Sequence, residues 1–530
     1  MLDLKSHFFP PGTCVRDMNS DGKLHLLRNA KILRLSRLGL SAAVLRCAVI
    51  CCVVLWAGNC PAVEDLAREA VTLKARYAAD LGRLAAWCQQ KDLTAEAQKT
   101  VDLVAPPDPH KVMLPVLPQE VGSLHAPEST SGVLAEWHRR LLKLRQDQAT
   151  ALFGLAQRCV RRHQASLAYR LALDAIKANP DHEASRRVFG FQKYQNQWHT
   201  LYEVLMLRNG MVWHEKFGWI EKTNLPRYER GERLMGVTWI DADNDAALHA
   251  EIASGWDIET EHYRIRTNHS IEAAVALGVK LENLHRLWRQ IFLGYYSSES
   301  DVEALFSGRP ASNMKSPRLD VVYFRDKQQY HRALKPIMPD VGISMGLYVA
   351  ENRTAYFFAG NKDSERTMYH EATHQLFQQS RRVGDDLGRR ANCWLIEGIA
   401  MYMETLRREG DYFVFGGLSD VRIEAARFHL EKKDFYLPFD RLVRMGVQDL
   451  QGHPEIAKLY SQIAGMTHFL VHYEDGRYRD ALVSCLAATY DGSQDPDLLA
   501  RMTGTDYAEL DKQYQAYMKI LAPGENPKSE

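Results

Sequence analysis

The segment Met368-Tyr369-His370-Glu371-Ala372-Thr373-His374-Gln375-Leu376 places two histidines four residues apart. On a helix that spacing stacks them one turn apart on the same face, so both imidazoles can reach one metal ion. Glu371 lies between them and points to where an activated water would sit. A catalytic zinc ion normally takes three protein ligands and keeps one open position. Glu397, in the stretch Trp394 to Glu404, supplies the third, 23 positions beyond His374 (397 − 374), enough for a helix to end, turn and return. The competing reading is a surface helix with two histidines and a solvated glutamate. Three features oppose it: apolar Met368, Leu376 and Phe377 beside the motif, a polar turn spanning Arg381, Arg382, Gly384, Asp385, Asp386 and Gly388, and a second apolar helix with a glutamate near its start. Glu404, two turns beyond Glu397, could accept a hydrogen bond from a ligand histidine, or be a solvated helix end.

His370-Glu371-x-x-His374 followed by Trp394-Leu395-x-Glu397-Gly398-x-Ala400 resembles the gluzincins, the metallopeptidases that include thermolysin and the aminopeptidase N family. Ile396 departs from the aminopeptidase pattern, where Asn is usual. More closely, Trp256 to Leu486 resembles the peptidase-MA-like domains of uncharacterised secreted bacterial proteins. The resemblance implies a zinc peptidase fold in which His370, His374 and Glu397 hold Zn²⁺ and Glu371 acts as general base on water. It implies a tyrosine oxyanion donor downstream of the third ligand. Tyr460 lies at a comparable distance, with Tyr473 and His468 as runners-up. It also implies an edge strand that pairs with extended substrate, for which Gly346 to Val349, with Tyr348, is the candidate; a purely structural strand is the alternative. The chain lacks the Gly-x-Met-Glu-Asn run with which aminopeptidases bind a free amino terminus, so an endopeptidase is expected.

The formal net charge of +1 over 530 residues argues against a general nucleic-acid binder, which carries a basic excess. Residues 1–62 read as a signal peptide: Lys31, Arg34, Arg37 and Arg46 precede an apolar run from Cys47 to Gly58. An uncleaved membrane anchor is the alternative. Either implies an exported protein. Five of the nine cysteines fall in this leader; Cys88, Cys159, Cys393 and Cys485 form no C-x-x-C pair. Cys393 reads as a buried apolar residue.

Residues 63–197 are rich in alanine and leucine with helical periodicity, interrupted at 104–132 by a proline-rich stretch that reads as an extended surface connection. Ala151 to His182 resembles one helical hairpin of the tetratricopeptide type. Residues 198–256 hold many aromatics and read as short strands or irregular packing between two domains. Residues 257–522 then alternate: strands at Tyr263–Thr267 and Leu319–Phe324, a helix from Ser270 to Phe292, and a hairpin from Gly346 to Phe358 with its turn near Asn352. A flexible tail is expected at 523–530. The expectation is an α+β protein, mostly helical, with a zincin-like domain behind a helical one, acting on a peptide or protein substrate. The alternative is an exported scaffold with a catalytically silent site.

Overall fold

The computed structural model describes residues 61–104, 108–122, 132–309, 317–339, 344–360 and 364–520. The leader and the tail lie outside the described residues. The fold is α+β, predominantly helical with small sheets. No helix among the described residues is long and apolar enough to cross a membrane.

Helix α1 (Pro61–Gln90) is followed by strand β1 (Lys111–Pro115), then α2 (Gly132–Val160) and α3 (Ala165–Ala178). Buried Ala149, Ala156, Ala168, Ala172 and Ala175 let α2 and α3 pack together as a hairpin, with α1 along α2. The proline-rich stretch differs from expectation: β1 pairs antiparallel with a strand near the metal motif, 300 residues on. A run of prolines reads locally as a linker, whereas Val112 and Leu114 are spaced to bury alternate side chains on a sheet edge.

Helix α4 (Glu183–Val188) leads into three consecutive strand–strand–helix units, where short strands or irregular packing was expected. They are β2 (Phe191–Tyr194), β3 (Gln197–Thr200) and α5 (Leu201–Arg208); β4 (Met211–His214), β5 (Gly218–Glu221) and α6 (Leu225–Glu229); β6 (Glu232–Met235), β7 (Thr238–Asp241) and α7 (Ala242–Leu248). The first hairpin opens at Phe191, inside the segment read as helical.

The five-stranded sheet that carries the motif is built from β8 (Trp256–Glu259), β9 (Tyr263–Thr267), β10 (Leu319–Phe324), β11 (Leu347–Val349) and β12 (Thr354–Phe358). Its order is β11-β12-β10-β9-β8; β10 runs parallel to β9 and β12, and the outer strands are antiparallel. Helix α8 (Ile271–Ile291) begins where the Ser270 hydroxyl accepts from the Ala273 amide at 3.1 Å. It buries Ala274, Leu277, Leu281, Leu284 and Trp288 at helical spacing against Tyr263 and Ile265. Asn268 does not cap it; its Oδ1 accepts from the Arg325 amide beyond β10.

Helix α9 (Ser364–Gln379) carries the motif and α10 (Cys393–Met403) carries Glu397; residues 367–377 and all of α10 are buried. Strands β13 (Arg407–Glu409) and β14 (Tyr412–Gly416) follow, with β14 between β1 and β13. Helices α11 (Ile456–Gly476) and α12 (Arg479–Tyr490) close the far side. Phe377, at the end of α9, lies 5.4, 4.9, 4.7 and 5.3 Å from the rings of Trp288, Phe292, Tyr295 and Tyr490. Offset and edge-on aromatic contacts of this kind add to simple area burial.

Helices α10 and α11 cross where Gly398 faces Thr467. A Cβ at Gly398 would overlap the Thr467 hydroxyl oxygen and crowd Ile463. Gly398→Ala is expected to destabilise the protein by about 1–3 kcal/mol. Adding Thr467→Gly should recover part of the loss in thermal unfolding. Failure of that rescue would show that the crossing does not depend on this contact.

Candidate metal centre

Helix α9 presents His370, Glu371 and His374 inward, and α10 presents Glu397 opposite them. The two Nε2 atoms are 3.1 Å apart. Glu397 Oε2 lies 3.6 Å from His370 Nε2, and its Oε1 lies 3.9 Å from His374 Nε2. The side chains are buried, at 3% (His370), 2% (His374), 7% (Glu397) and 5% (Glu371) exposed.

This donor set fits a metal ion. Tetrahedral bonds of about 2.0–2.1 Å separate neighbouring ligand atoms by about 3.3 Å, close to the spacings present. His370 Nδ1 sits 2.7 Å from Glu404 Oε1. A carboxylate oxygen only accepts, so Nδ1 carries a proton and Nε2 is the nitrogen that faces the centre. His370, His374 and Glu397 are therefore a buried group that could hold a metal ion.

The electrostatics point the same way. Burial lowers the affinity of His370 for a proton, yet the Glu397 and Glu404 carboxylates outweigh it and push its pKa up to about 10. Burial pushes Glu371 up to about 7, with His370 and the Tyr348 amide opposing, and Glu397 and Glu404 adding to the rise. Three carboxylates thus draw positive charge into a dry site, which a divalent cation satisfies.

Glu404 is 3% exposed and is no solvated helix end. Its burial is offset by Arg422, His370 and Arg366, which hold its carboxyl well below the usual range. Arg366 Nη2 donates to it at 3.1 Å, and Arg422 Nε and Nη2 at 3.3 Å. Asp420 accepts from Arg366 Nη1 at 3.0 Å and from the Arg422 amide at 2.9 Å. Arg366, Asp420 and Arg422 escaped the sequence reading, because nothing local links them to Glu404.

Strand β11 is the edge of its sheet, as the edge-strand reading requires, and lies against the motif. The Tyr348 amide donates to Glu371 Oε2 at 2.9 Å. Gly346 allows this approach, because a Cβ there would stand 2.6 Å from Thr367 Cγ2. The Tyr460 hydroxyl bonds to the Glu397 carboxylate. Burial first, then Glu397, raises its pKa well above the ordinary value. The runners-up lie elsewhere: His468 Nδ1 pairs with the Tyr517 hydroxyl at 2.9 Å, and Tyr473 stacks on Tyr478 at 5.7 Å. Cys88, Cys159, Cys393 and Cys485 are all buried and free, and burial pushes the Cys393 thiol up.

A second group, His262, Glu282 and His285, was also missed by the sequence reading. Its imidazoles stack 3.8 Å apart at 23°, so their nitrogen lone pairs lie in nearly parallel planes. Glu282 is already engaged by the Thr260 hydroxyl and the His262 amide at 2.6 Å and by His262 Nδ1 at 2.7 Å. The cluster ties the β8–β9 turn to α8.

No protein-family model and no curated protein matches the chain. What the fold and site define is an α+β protein with a buried candidate metal centre.

Glu404→Gln keeps the side chain's shape and removes the charge that faces His370. It is expected to lower metal affinity by about 10- to 100-fold, read by competition with a chromogenic chelator. Unchanged affinity would separate Glu404 from the centre.

Proposed function

We propose that this chain is a zinc-dependent peptidase of the gluzincin type, exported from the cell, that cleaves within polypeptides. The observation carrying this reading is the juxtaposition of three metal-competent donors, an adjacent carboxylate raised towards neutrality, and a sheet edge running past both. Zinc held by His370, His374 and Glu397 would supply Lewis acidity, polarising a carbonyl and acidifying water.

The chain's own groups do the rest. Glu371 has one oxygen held by the Tyr348 amide, so Oε1 takes a proton from water and returns it to the leaving amine. The outer edge of β11, whose Tyr348 amide is held by Glu371, would align an extended substrate through the Tyr348 carbonyl, which gives affinity with little side-chain selectivity. The Tyr460 hydroxyl, which bonds to Glu397, would turn from it to donate to a developing oxyanion. Glu404 fixes the ring of His370.

The burial of all four central residues favours a second reading. A centre this enclosed also suits an exported scaffold whose metal site is catalytically silent.

Zinc content and cleavage of a mixed peptide library decide between them, with wild type measured beside Glu371→Gln. One zinc per chain in both, with cleavage falling at least 10³-fold in the variant, is the expected result, that being the scale on which a general base and its proton transfer contribute. Zinc without cleavage in either would favour the scaffold. No zinc in either would refute both the peptidase and its metal.

A further inference from the structure

The three strand–strand–helix units repeat one geometry with few identical residues. Each begins after a glycine of positive φ: Gly190 at +82°, Gly210 at +76° and Gly231 at +87°. Each carries a tryptophan at the second position of its second strand: Trp198, Trp219 and Trp239, spaced by 21 and 20 residues (219 − 198, 239 − 219). The preceding helix packs on the first strand every time, α4 on β2, α5 on β4 and α6 on β6. That helix also contributes the group lying against the tryptophan: Arg186 over Trp198 at 5.3 Å, Tyr202 near Trp219 at 6.2 Å, and Arg227 over Trp239 at 4.1 Å.

In the first unit the outer edge is filled by the chain itself. The Trp198 amide donates to the Gln119 carbonyl at 2.8 Å, and Leu117 packs with Phe191, Ile176 and Trp198. Arg186 Nη1 donates to the Pro118 carbonyl at 3.1 Å, and the Gln197 side chain bonds to the Glu120 carboxylate. An extended Leu-Pro-Gln-Glu segment is thus held by an outward strand amide, an apolar cleft and an arginine.

In the third unit Trp239 pairs with Leu234 as Trp198 pairs with Lys193. The bond from the Ala242 amide to the Gly231 carbonyl closes the hairpin, and counting in from it points the Trp239 amide outward. Arg227 lies over Trp239 as Arg186 lies over Trp198, with its Nε and Nη2 bonded to the Glu232 carboxylate. Among the described residues no segment pairs with the outer edge of β7. Leu234, Met235 and Val237 are exposed there, Val237 at 96%. The second unit differs by having Tyr202 in place of an arginine.

We infer that the outer edge of β7, with Trp239 and Arg227, is a docking site for an extended, proline-containing segment of another polypeptide, bound as Leu117–Glu120 is bound to the first unit. Open strand edges accept such segments by backbone pairing. The site is not part of the sheet that carries β11: β6 and β7 form a two-stranded sheet of their own, while β11 is an edge of the five-stranded sheet. Docking there is therefore separate from the metal centre and does not rest on its activity.

The test uses the full chain carrying Glu371→Gln, so that no peptide is cut, and a fluorescent peptide with the sequence of residues 114–122. Saturable binding by anisotropy is expected, weakened tenfold or more by Arg227→Ala and by Trp239→Pro. Proline at that outward position leaves the hairpin ladder intact. Thermal unfolding checks that both variants stay folded, and Arg227→Ala decides alone if the proline variant does not. Absence of saturable binding would overturn the inference. So would binding that neither substitution weakens, which would place the peptide on the first unit after displacing the chain's own segment. A concentration-dependent dimer that competes with the peptide would instead identify a second copy as the occupant, and would also overturn it.

Discussion

Two imidazoles and three carboxylates lie in the interior where little water can solvate them. An ion moved into such surroundings costs several kcal/mol unless paired and hydrogen-bonded. Compensation comes from both sides. On the outside Arg366 and Arg422 bracket Glu404, with Asp420 fixing both arginines. On the inside, Glu397 and Glu371 face the histidines, and a cation at the three donors balances them. Neither half works without the other: Glu404 orients His370 only while the arginines keep it ionised, and His370 offers Nε2 only while Glu404 holds Nδ1.

Such an arrangement tolerates little movement between α9 and α10, and the surroundings limit it in several independent ways. The aromatic group around Phe377 fixes the end of α9, and the Tyr295 hydroxyl donates to the Phe377 carbonyl at 2.7 Å. The connection at 380–392 is pinned along its length. Arg381 pairs with Asp491, the Gly384 amide donates to Tyr490, and the Gln494 side chain takes the Arg390 and Ala391 amides. Asn392 enters α10 at φ +59°, a conformation asparagine tolerates better than most residues, while its amide and side chain bond to Val443 and Asp495. The polar turn between the two helices is therefore the spacer that sets where Glu397 arrives.

The metal motif was legible because its logic is local: four residues separate the histidines, and seven separate Glu397 from Glu404, two turns on one helix. The strands Tyr263–Thr267 and Leu319–Phe324 were legible for the same reason, being β-branched and aromatic runs. Arg366 and Arg422 were not, because they reach Glu404 from 38 and 18 residues away and no periodicity reports that distance. The three units also escaped notice. Their likeness lies in the position of one glycine and one tryptophan per 20 or so residues, with strands of four residues too short to show alternation. The proline-rich stretch misled for a different reason: composition reports that a segment is extended, and cannot say what it lies against.

Its prolines suit it to lying against something. Proline fixes φ and gives up only its amide hydrogen, so an extended segment loses less entropy on ordering while every carbonyl remains an acceptor. Pro115 ends β1 on the exposed side of the β14 pairing, and Pro118 offers its carbonyl to Arg186. Within residues 111–120 the chain thus adds a strand beside α10's own sheet partner, β14, and then fills the edge of the first repeat unit. The helical half is joined to the metal-bearing half by this strap as well as by the covalent path through the three units. A segment that closes such a loop restrains how the two halves can separate, and so keeps α10, on which the third ligand stands, in register with α9.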